Sequence, residues 1–457
     1  MIAGVDAPCK ALGERMNKSI RVYSISLGCP KNRVDAETVL GAMPGGVRIV
    51  SDPARADLVV INTCSFIRPA VEESVRVILD TAEAIRGLDP RPKLAVTGCL
   101  PARYGQELRA GLPEVDVWGL PSELAELPGR LARAVSPGAA ALPDLRQASG
   151  ATRLVSTPPG FAYVKIAEGC NHACAYCTIP SIRGRLASRP AADIVAEARG
   201  LVDRGASELV LVAQDLTAYG RDMGGVTGLR QLVEGLLPLP GLSRLRLMYL
   251  YPSGLDAGLL DFLAAAGPPL LPYFDIPFQH VHPDVLRAMG RPRSDAPEAV
   301  LDRVRQRFPD AAIRTTFITG FPGETPRRFQ ALLDFVAGQR LHHVGVFPFS
   351  PEEGTRAVTL PGKVSGAEAR RRRDALMEVQ AEISADILAG YVGRTLPVLV
   401  DAPHPEWPGL FVGRTWFQAP EADGVTYVSG PGVAPGRLVP AEIVESKDYD
   451  LVALADA

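Results

Sequence analysis

From about residue 20 onward, short apolar runs alternate with stretches whose apolar residues recur at helical spacing. RVYSISLG, ADLVVINT and KLAVTG read as strands, whereas VDAETVLGAM and VEESVRVILDTAEAIRG read as helices. Strand then helix in series predicts a parallel sheet with crossover helices. Over residues 136–155 the periodicity fades into Pro, Ala, Ser and Gly, the composition of a linker. From Phe161 six more runs follow, FAYVKIAE, ELVLVAQD, SRLRLMYL, YFDIPFQH, AIRTTFIT and HHVGVFPF, each separated by room for a helix. They predict a partial (β/α)6 barrel whose active site lies at the C-terminal strand ends. Residues 366–389 read as one long helix, and after Gly390 short strands with Gly, Pro and Asp-Gly turns predict a small β-barrel of about five strands. The expected architecture is therefore α/β in three parts: a parallel α/β domain over 20–135, a barrel with a trailing helix over 156–388, and a β-barrel over 389–457.

Composition narrows the class. The chain has 457 residues, too many for one ordinary core, with 47% hydrophobic and 22% charged residues. No apolar run approaches the roughly 20 residues that a membrane span requires, so no membrane association is expected. Residues 1–20 show neither a signal core nor an Arg-rich amphipathic stretch, and a cytoplasmic location is expected. The net charge of -2 gives no global field for nucleic acid.

Seven cysteines, an odd number, argue for metal or redox use rather than a disulfide framework. Six fall into two triads, and Cys9, ahead of the fold, has no expected role. Cys170, Cys174 and Cys177 lie in EGCNHACAYC, directly after the first barrel strand, with spacing C-x3-C-x2-C. Three thiolates on one loop can hold three corners of a 4Fe-4S cluster and leave one iron open. Zinc is the competing reading, with His172 drafted as fourth ligand. Cys29, Cys64 and Cys99 lie in SLGCPKN, INTCSFI and VTGCL, each at the end of a predicted strand and 35 residues from the next. A parallel sheet brings such ends to one edge, so they form a candidate second cluster site; three small buried residues at equivalent points are the alternative.

The spacing of Cys170, Cys174 and Cys177 at the first strand end resembles the radical S-adenosylmethionine superfamily. That resemblance implies that S-adenosylmethionine chelates the open iron and is cleaved to an adenosyl radical that abstracts hydrogen from carbon. Strand-end residues are candidates to position the cofactor: Gln214, Tyr249 and Gln279, with Asp215, Tyr251, His280 and Ser350 beside them. His280 and His282, or His342 and His343, could be metal ligands, although packing is the ordinary role of such pairs. GFPGET lacks the Gly-Lys-Ser/Thr of a P-loop and reads as a tight turn.

Two three-cysteine sets in this order, followed by a small β-domain, resemble the methylthiotransferase family. The resemblance implies a C-terminal TRAM domain, a sulfur-delivering 4Fe-4S cluster on Cys29, Cys64 and Cys99, and a radical 4Fe-4S cluster on Cys170, Cys174 and Cys177. It implies two S-adenosylmethionine molecules per product, one as methyl donor and one as radical source. A flavodoxin or ferredoxin type electron donor is implied as well.

SLGCPKNRVDAE, NTCSFIRPAVEES, KIAEGCNHACAYCTIP, YFDIPFQH and FPGETPRRF are similar to the branch that acts on the β-carbon of an aspartate in small-subunit ribosomal protein twelve. The branch acting on tRNA adenosine typically opens with Gly-Cys-Gln-Met-Asn instead. Charge points the same way, because residues 389–457 carry four basic and nine acidic residues, a poor surface for RNA phosphates. A ribosomal protein is the expected partner and tRNA is not, despite the Arg370–Arg373 run on the long helix. A tRNA methylthiotransferase and a non-catalytic iron-sulfur binding protein are the two alternative readings.

Overall fold

The computed structural model describes residues 19–136, 153–224, 228–292 and 296–456; Cys9 lies outside them. The first part is a five-stranded parallel sheet of β1 (Ile20–Ser26), β2 (Val47–Ile49), β3 (Leu58–Thr63), β4 (Lys93–Gly98) and β5 (Val117–Trp118), in the order β2-β1-β3-β4-β5. Its helices are α1 (Pro30–Gly41), α2 (Arg68–Arg86), α3 (Cys99–Gly111) and α4 (Leu127–Val135). β3 is buried throughout, as expected of a central parallel strand covered on both faces.

The second part begins with β6 (Phe161–Lys165), a two-stranded antiparallel pair β7 (Ala167–Glu168) and β8 (Ala187–Ser188), and α5 (Ile179–Arg183) between them. Then come α6 (Ala191–Asp203), β9 (Glu208–Val212), α7 (Leu229–Leu236), β10 (Arg244–Leu247), α8 (Ala257–Ala266), β11 (Tyr273–Asp275), α9 (Pro283–Ala288), α10 (Pro297–Arg307), β12 (Ala312–Thr319), α11 (Pro326–Gln339) and β13 (His343–Pro348). All six predicted barrel strands form, in two parallel sheets, β10-β9-β6 and β11-β12-β13. A bridge from Leu245 to Leu270 and the bond from Leu250 N–H to the Asp275 carbonyl (2.8 Å) join the sheets. The long helix α12 (Gly366–Ala389) leads to a closed barrel of β14 (Thr395–Pro403), β15 (Phe411–Arg414), β16 (Thr426–Ser429), β17 (Leu438–Ser446) and β18 (Leu451–Leu454).

The barrel strands alternate faces with period two. Ala162, Val164, Leu209, Leu211, Leu245 and Leu247 pack against the helices. Phe161, Tyr163, Val210, Val212 and Tyr273 point the other way, into a core shared with the C-terminal domain. There the segment Arg414–Asp423 touches every barrel strand. Pro420 and Glu421 meet Tyr163 of β6, Arg414 meets Glu208 of β9, and the Trp416 carbonyl meets Arg246 of β10. Asp423 meets Tyr273 of β11 and Arg314 of β12, and the Phe417 carbonyl meets His343 of β13. The C-terminal domain thus supplies the inner filling that an incomplete barrel lacks.

Of the predicted linker, residues 137–152 lie outside the described residues. Arg153, by contrast, is buried, and its guanidinium joins Glu37 of α1 (2.8 Å) to Glu197 of α6 (2.5 Å). The end of this segment is therefore a fastening between two domains.

Candidate cluster and cofactor site

Cys29, Cys64 and Cys99 follow directly on β1 (after Leu27 and Gly28), β3 and β4, so the parallel order places all three on the C-terminal edge of one sheet. Cys29 caps α1 and Cys99 opens α3. Two glycines permit the close approach of these turns. Gly28 has φ +86, and a Cβ there would lie 2.6 Å from Cys64 Cβ and 2.9 Å from Cys64 Sγ. Gly98 has φ +96, and its Cβ would meet Asn62 Oδ1 and lie 2.6 Å from the Thr63 carbonyl oxygen. An L side chain at either position would be strained and would collide with the neighbouring turn. Burial pushes the Cys64 thiol up to about 11 and raises Cys99, with the neighbouring cysteines adding to both.

The second triad occupies the loop after β7. Cys170 Sγ accepts the His172 N–H and Cys177 Sγ the Ile179 N–H, both at 3.4 Å. Burial raises Cys170 and pushes Cys177 up to about 12, the other cysteines of the loop contributing again. Thiols held up in this way need a metal or a cationic neighbour before they ionise at neutral pH. His172 is engaged elsewhere: Nε2 lies 2.7 Å from Asp215, and the ring stacks on Tyr251 at 3.7 Å between centroids. Among the described residues no three His, Cys, Asp or Glu side chains gather as for a single metal ion.

The two triads face each other. The Thr178 hydroxyl, one residue past Cys177, reaches the Phe66 carbonyl at 3.4 Å, and Arg183 Nε reaches Cys99 Sγ at 3.3 Å. Lys31, two residues past Cys29, reaches into the barrel mouth, with Nζ 3.4 Å from the Ala213 carbonyl and 3.6 Å from the Tyr249 ring centroid. Glu352, buried beyond β13, accepts the Arg68 N–H (2.7 Å) and Arg103 (2.8 Å), fastening the Cys64 turn to the barrel rim.

The other strand-end candidates divide. Gln214 has both amide heteroatoms buried without a hydrogen-bond partner among the described residues, a costly state that an incoming polar ligand would relieve. Tyr249 and Gln279 both hold positive φ, 62 and 72, a conformation that only a surrounding structure sustains in such residues. Asp215 accepts from Thr217 and faces His172. A cavity of about 100 Å³ beside Cys170 is lined by Asn171, His172 and Asp215. Ser350 donates to Glu352 at 2.5 Å and belongs to the domain joint. His280 is buried and accepts the His282 N–H, His282 caps α9, and His343 serves the C-terminal segment. GFPGET forms a tight turn, with Gly320 and Gly323 at φ +76 and +86.

Comparison with known proteins matches each of the three parts of the chain to a family. Residues 164–336 match the radical SAM superfamily, residues 21–119 match a family described as uncharacterized protein family UPF0004, and residues 392–455 match the TRAM domain. The cobalamin-binding radical S-adenosylmethionine methyltransferase TsrM of Kitasatospora setae shares the fold, with a TM-score of 0.53 at 17% identity, covering 86% of this chain and 80% of that one. The class is thus a radical S-adenosylmethionine enzyme with an added N-terminal domain and TRAM domain.

The "Ribosomal protein uS12 methylthiotransferase RimO" of Oleidesulfovibrio alaskensis is 58% identical over 437 residues, covering 95% of this chain and 100% of that one. The protein of the same name from Lawsonia intracellularis is 46% identical, covering 96% and 98%. The chain belongs to the RimO family of radical S-adenosylmethionine methylthiotransferases, enzymes that use S-adenosylmethionine and two 4Fe-4S clusters. No described helix is long and apolar enough to cross a membrane.

Proposed function

We propose that this chain adds a methylthio group to the β-carbon of an aspartate in ribosomal protein uS12, with Cys170, Cys174 and Cys177 holding the radical cluster and Cys29, Cys64 and Cys99 the sulfur-delivering cluster. The observation that carries this reading is the meeting of two three-cysteine edges, one from each domain, across the Thr178–Phe66 and Arg183–Cys99 contacts. Each set offers three free thiols, and His172, the neighbour that could have served as a fourth ligand beside Cys170, is turned to Asp215. Three thiolates suit a 4Fe-4S cluster with one open iron. When bound, the clusters and S-adenosylmethionine supply the electron, the methyl group and the hydrogen-abstracting radical. The chain's own residues position and shield. Gln214, Tyr249 and Gln279 line the cofactor's place at the strand ends, and the C-terminal segment closes the barrel interior against water.

Surface charge supports a basic protein substrate over tRNA. Within the C-terminal domain Asp401 and Arg414 form a buried pair, and Asp423 is buried beside Arg314. With Glu421 paired to Arg33 at the domain joint, six acidic residues remain outward against Arg394, Arg437 and Lys447. A net acidic face speeds encounter with a basic partner and repels phosphate. The Arg370–Arg373 run offers little to RNA: Arg372 is buried against Glu324 and Glu368, Arg371 pairs with Glu368 and Arg373 with Asp374. A flavodoxin or ferredoxin type protein serves as electron donor, and the cytoplasm is the compartment that holds these partners.

The test is anaerobic reconstitution with iron and sulfide, then incubation with S-adenosylmethionine, a reductant and both uS12 and unmodified tRNA, read by mass spectrometry. A methylthio mass gain on a uS12 aspartate is the expected result. A gain on tRNA adenosine alone overturns the proposal.

A further inference from the structure

Between the two triads lies a buried set of charges built from both domains. The single turn α5 starts two residues after Cys177, whose sulfur accepts the Ile179 N–H, and it ends at Arg183, whose Nε donates to Cys99 Sγ at 3.3 Å. At about 1.5 Å of rise per residue the turn itself spans less than about 8 Å, and the Arg183 side chain covers the remaining distance to Cys99. The Arg183 side chain is 1% exposed, and its fork is fixed. Nη1 bonds Asp35 (3.0 Å) and Glu168 (2.9 Å), while Nη2 bonds Asp35 (3.0 Å) and the Asn32 side-chain oxygen. Lys165 pairs with the same two carboxylates, Asp35 and Glu168. Lys31 adds another buried cation nearby, so the cations of this set outnumber its carboxylates. Part of the positive charge is left to face sulfur.

One-electron reduction adds negative charge to a cluster and its thiolates. A charged donor on a ligand sulfur stabilises the reduced state more than the oxidised one, and hydrogen bonds to sulfur are among the groups that set cluster potentials. We infer that Arg183 raises the reduction potential of the cluster on Cys29, Cys64 and Cys99, acting from the barrel domain as a positioning residue through the Cys99 sulfur. The inference rests on the cluster assignment proposed above. It gives the radical domain direct control over the electronic state of the neighbouring domain's cluster.

The experiment isolates one cluster at a time. The full chain carrying Cys170→Ala, Cys174→Ala and Cys177→Ala is reconstituted and titrated with dithionite, with the reduced cluster read by electron paramagnetic resonance. Adding Arg183→Met should lower the reduced-to-oxidised ratio at the parent's midpoint about tenfold, a shift of about 59 mV for one electron. Arg183→Lys keeps the charge without the fork and should lower it about threefold. If Arg183→Met fails to retain iron, Arg183→Lys carries the test. An unchanged midpoint in a variant that retains its cluster overturns the inference. So does an equal shift of the radical cluster when Arg183→Met is placed in a chain with Cys29, Cys64 and Cys99 changed to alanine. A parent that binds no cluster overturns the assignment beneath it, a distinct result.

Discussion

Replacing Glu208 with glutamine should loosen the C-terminal domain from the barrel. Glu208 is fully buried at the start of β9, 2.7 Å from Arg246 and 3.0 Å from Arg414, with Arg244 at 3.9 Å. Burial alone would raise its carboxyl, but Arg246, Arg414 and Arg244 outweigh that and hold it down to about 2, against an ordinary 4.5. A depression of that size corresponds to about 3 kcal/mol of stability at neutral pH, near the ~3–5 kcal/mol typical of breaking one side of a buried ion pair. Glu208→Gln keeps the shape and removes the charge, leaving Arg246 and Arg414 short of their shared carboxylate. Hydrogen exchange of the β14 amides, under conditions where reclosing outpaces exchange so that the rate reports the opening equilibrium, should rise about a hundredfold at neutral pH. The sign with pH is fixed. The Glu208 contribution is complete above the unfolded value of 4.5 and is lost as pH falls toward 2. The gap between parent and variant should therefore narrow by about 1.4 kcal/mol per unit below that point. A gap under about 0.5 kcal/mol at neutral pH, or one that does not narrow in acid, refutes the reasoning.

Three further outcomes are expected. Cys174→Ala should abolish cleavage of S-adenosylmethionine, scored by release of deoxyadenosine, while unaltered cleavage removes the second triad from the mechanism. Gln214→Leu should weaken S-adenosylmethionine binding in calorimetry by about 1–3 kcal/mol, since its buried amide has no hydrogen-bond partner among the described residues; equal affinity refutes its role. Glu352→Ala should release Arg103 and the Arg68 N–H and destabilise the Cys64 turn locally by about 3 kcal/mol, visible as faster exchange over Ser65–Arg68.

The six cysteines and the six barrel strands were legible because each carries a local signal: a fixed cysteine spacing, or an apolar run ended by a turn. β2 and β5 carry no such signal, for Val47–Ile49 and Val117–Trp118 are too short to show a period. The charges around Cys99 left no trace either. Arg183 and Asp35 lie 148 positions apart, and Lys165 and Asp35 lie 130 apart, so only the docking of domains reveals them as partners. The acidic count of the C-terminal domain overstates its surface charge, because Asp401 and Asp423 are spent inside on arginines. Ser350 sat at a strand end as foreseen, but its hydroxyl turns to Glu352, a direction that sequence position does not encode. The positive φ of Tyr249 and Gln279 likewise belongs to tertiary packing, because neither residue type advertises it.

The contact of Arg414–Asp423 with all six barrel strands also bears on the order of events at the ribosome. Synthesis proceeds from the N-terminus, and domains ordinarily fold as they emerge. Here the face of the catalytic barrel that carries Phe161, Tyr163 and Val210 has no cover until a segment more than two hundred residues downstream has been made. The central domain must wait, half-built and apolar on one side, for a domain encoded well after it. A ribosome stalled before codon 414 would therefore present a nascent chain that holds both cysteine triads and still lacks a finished barrel.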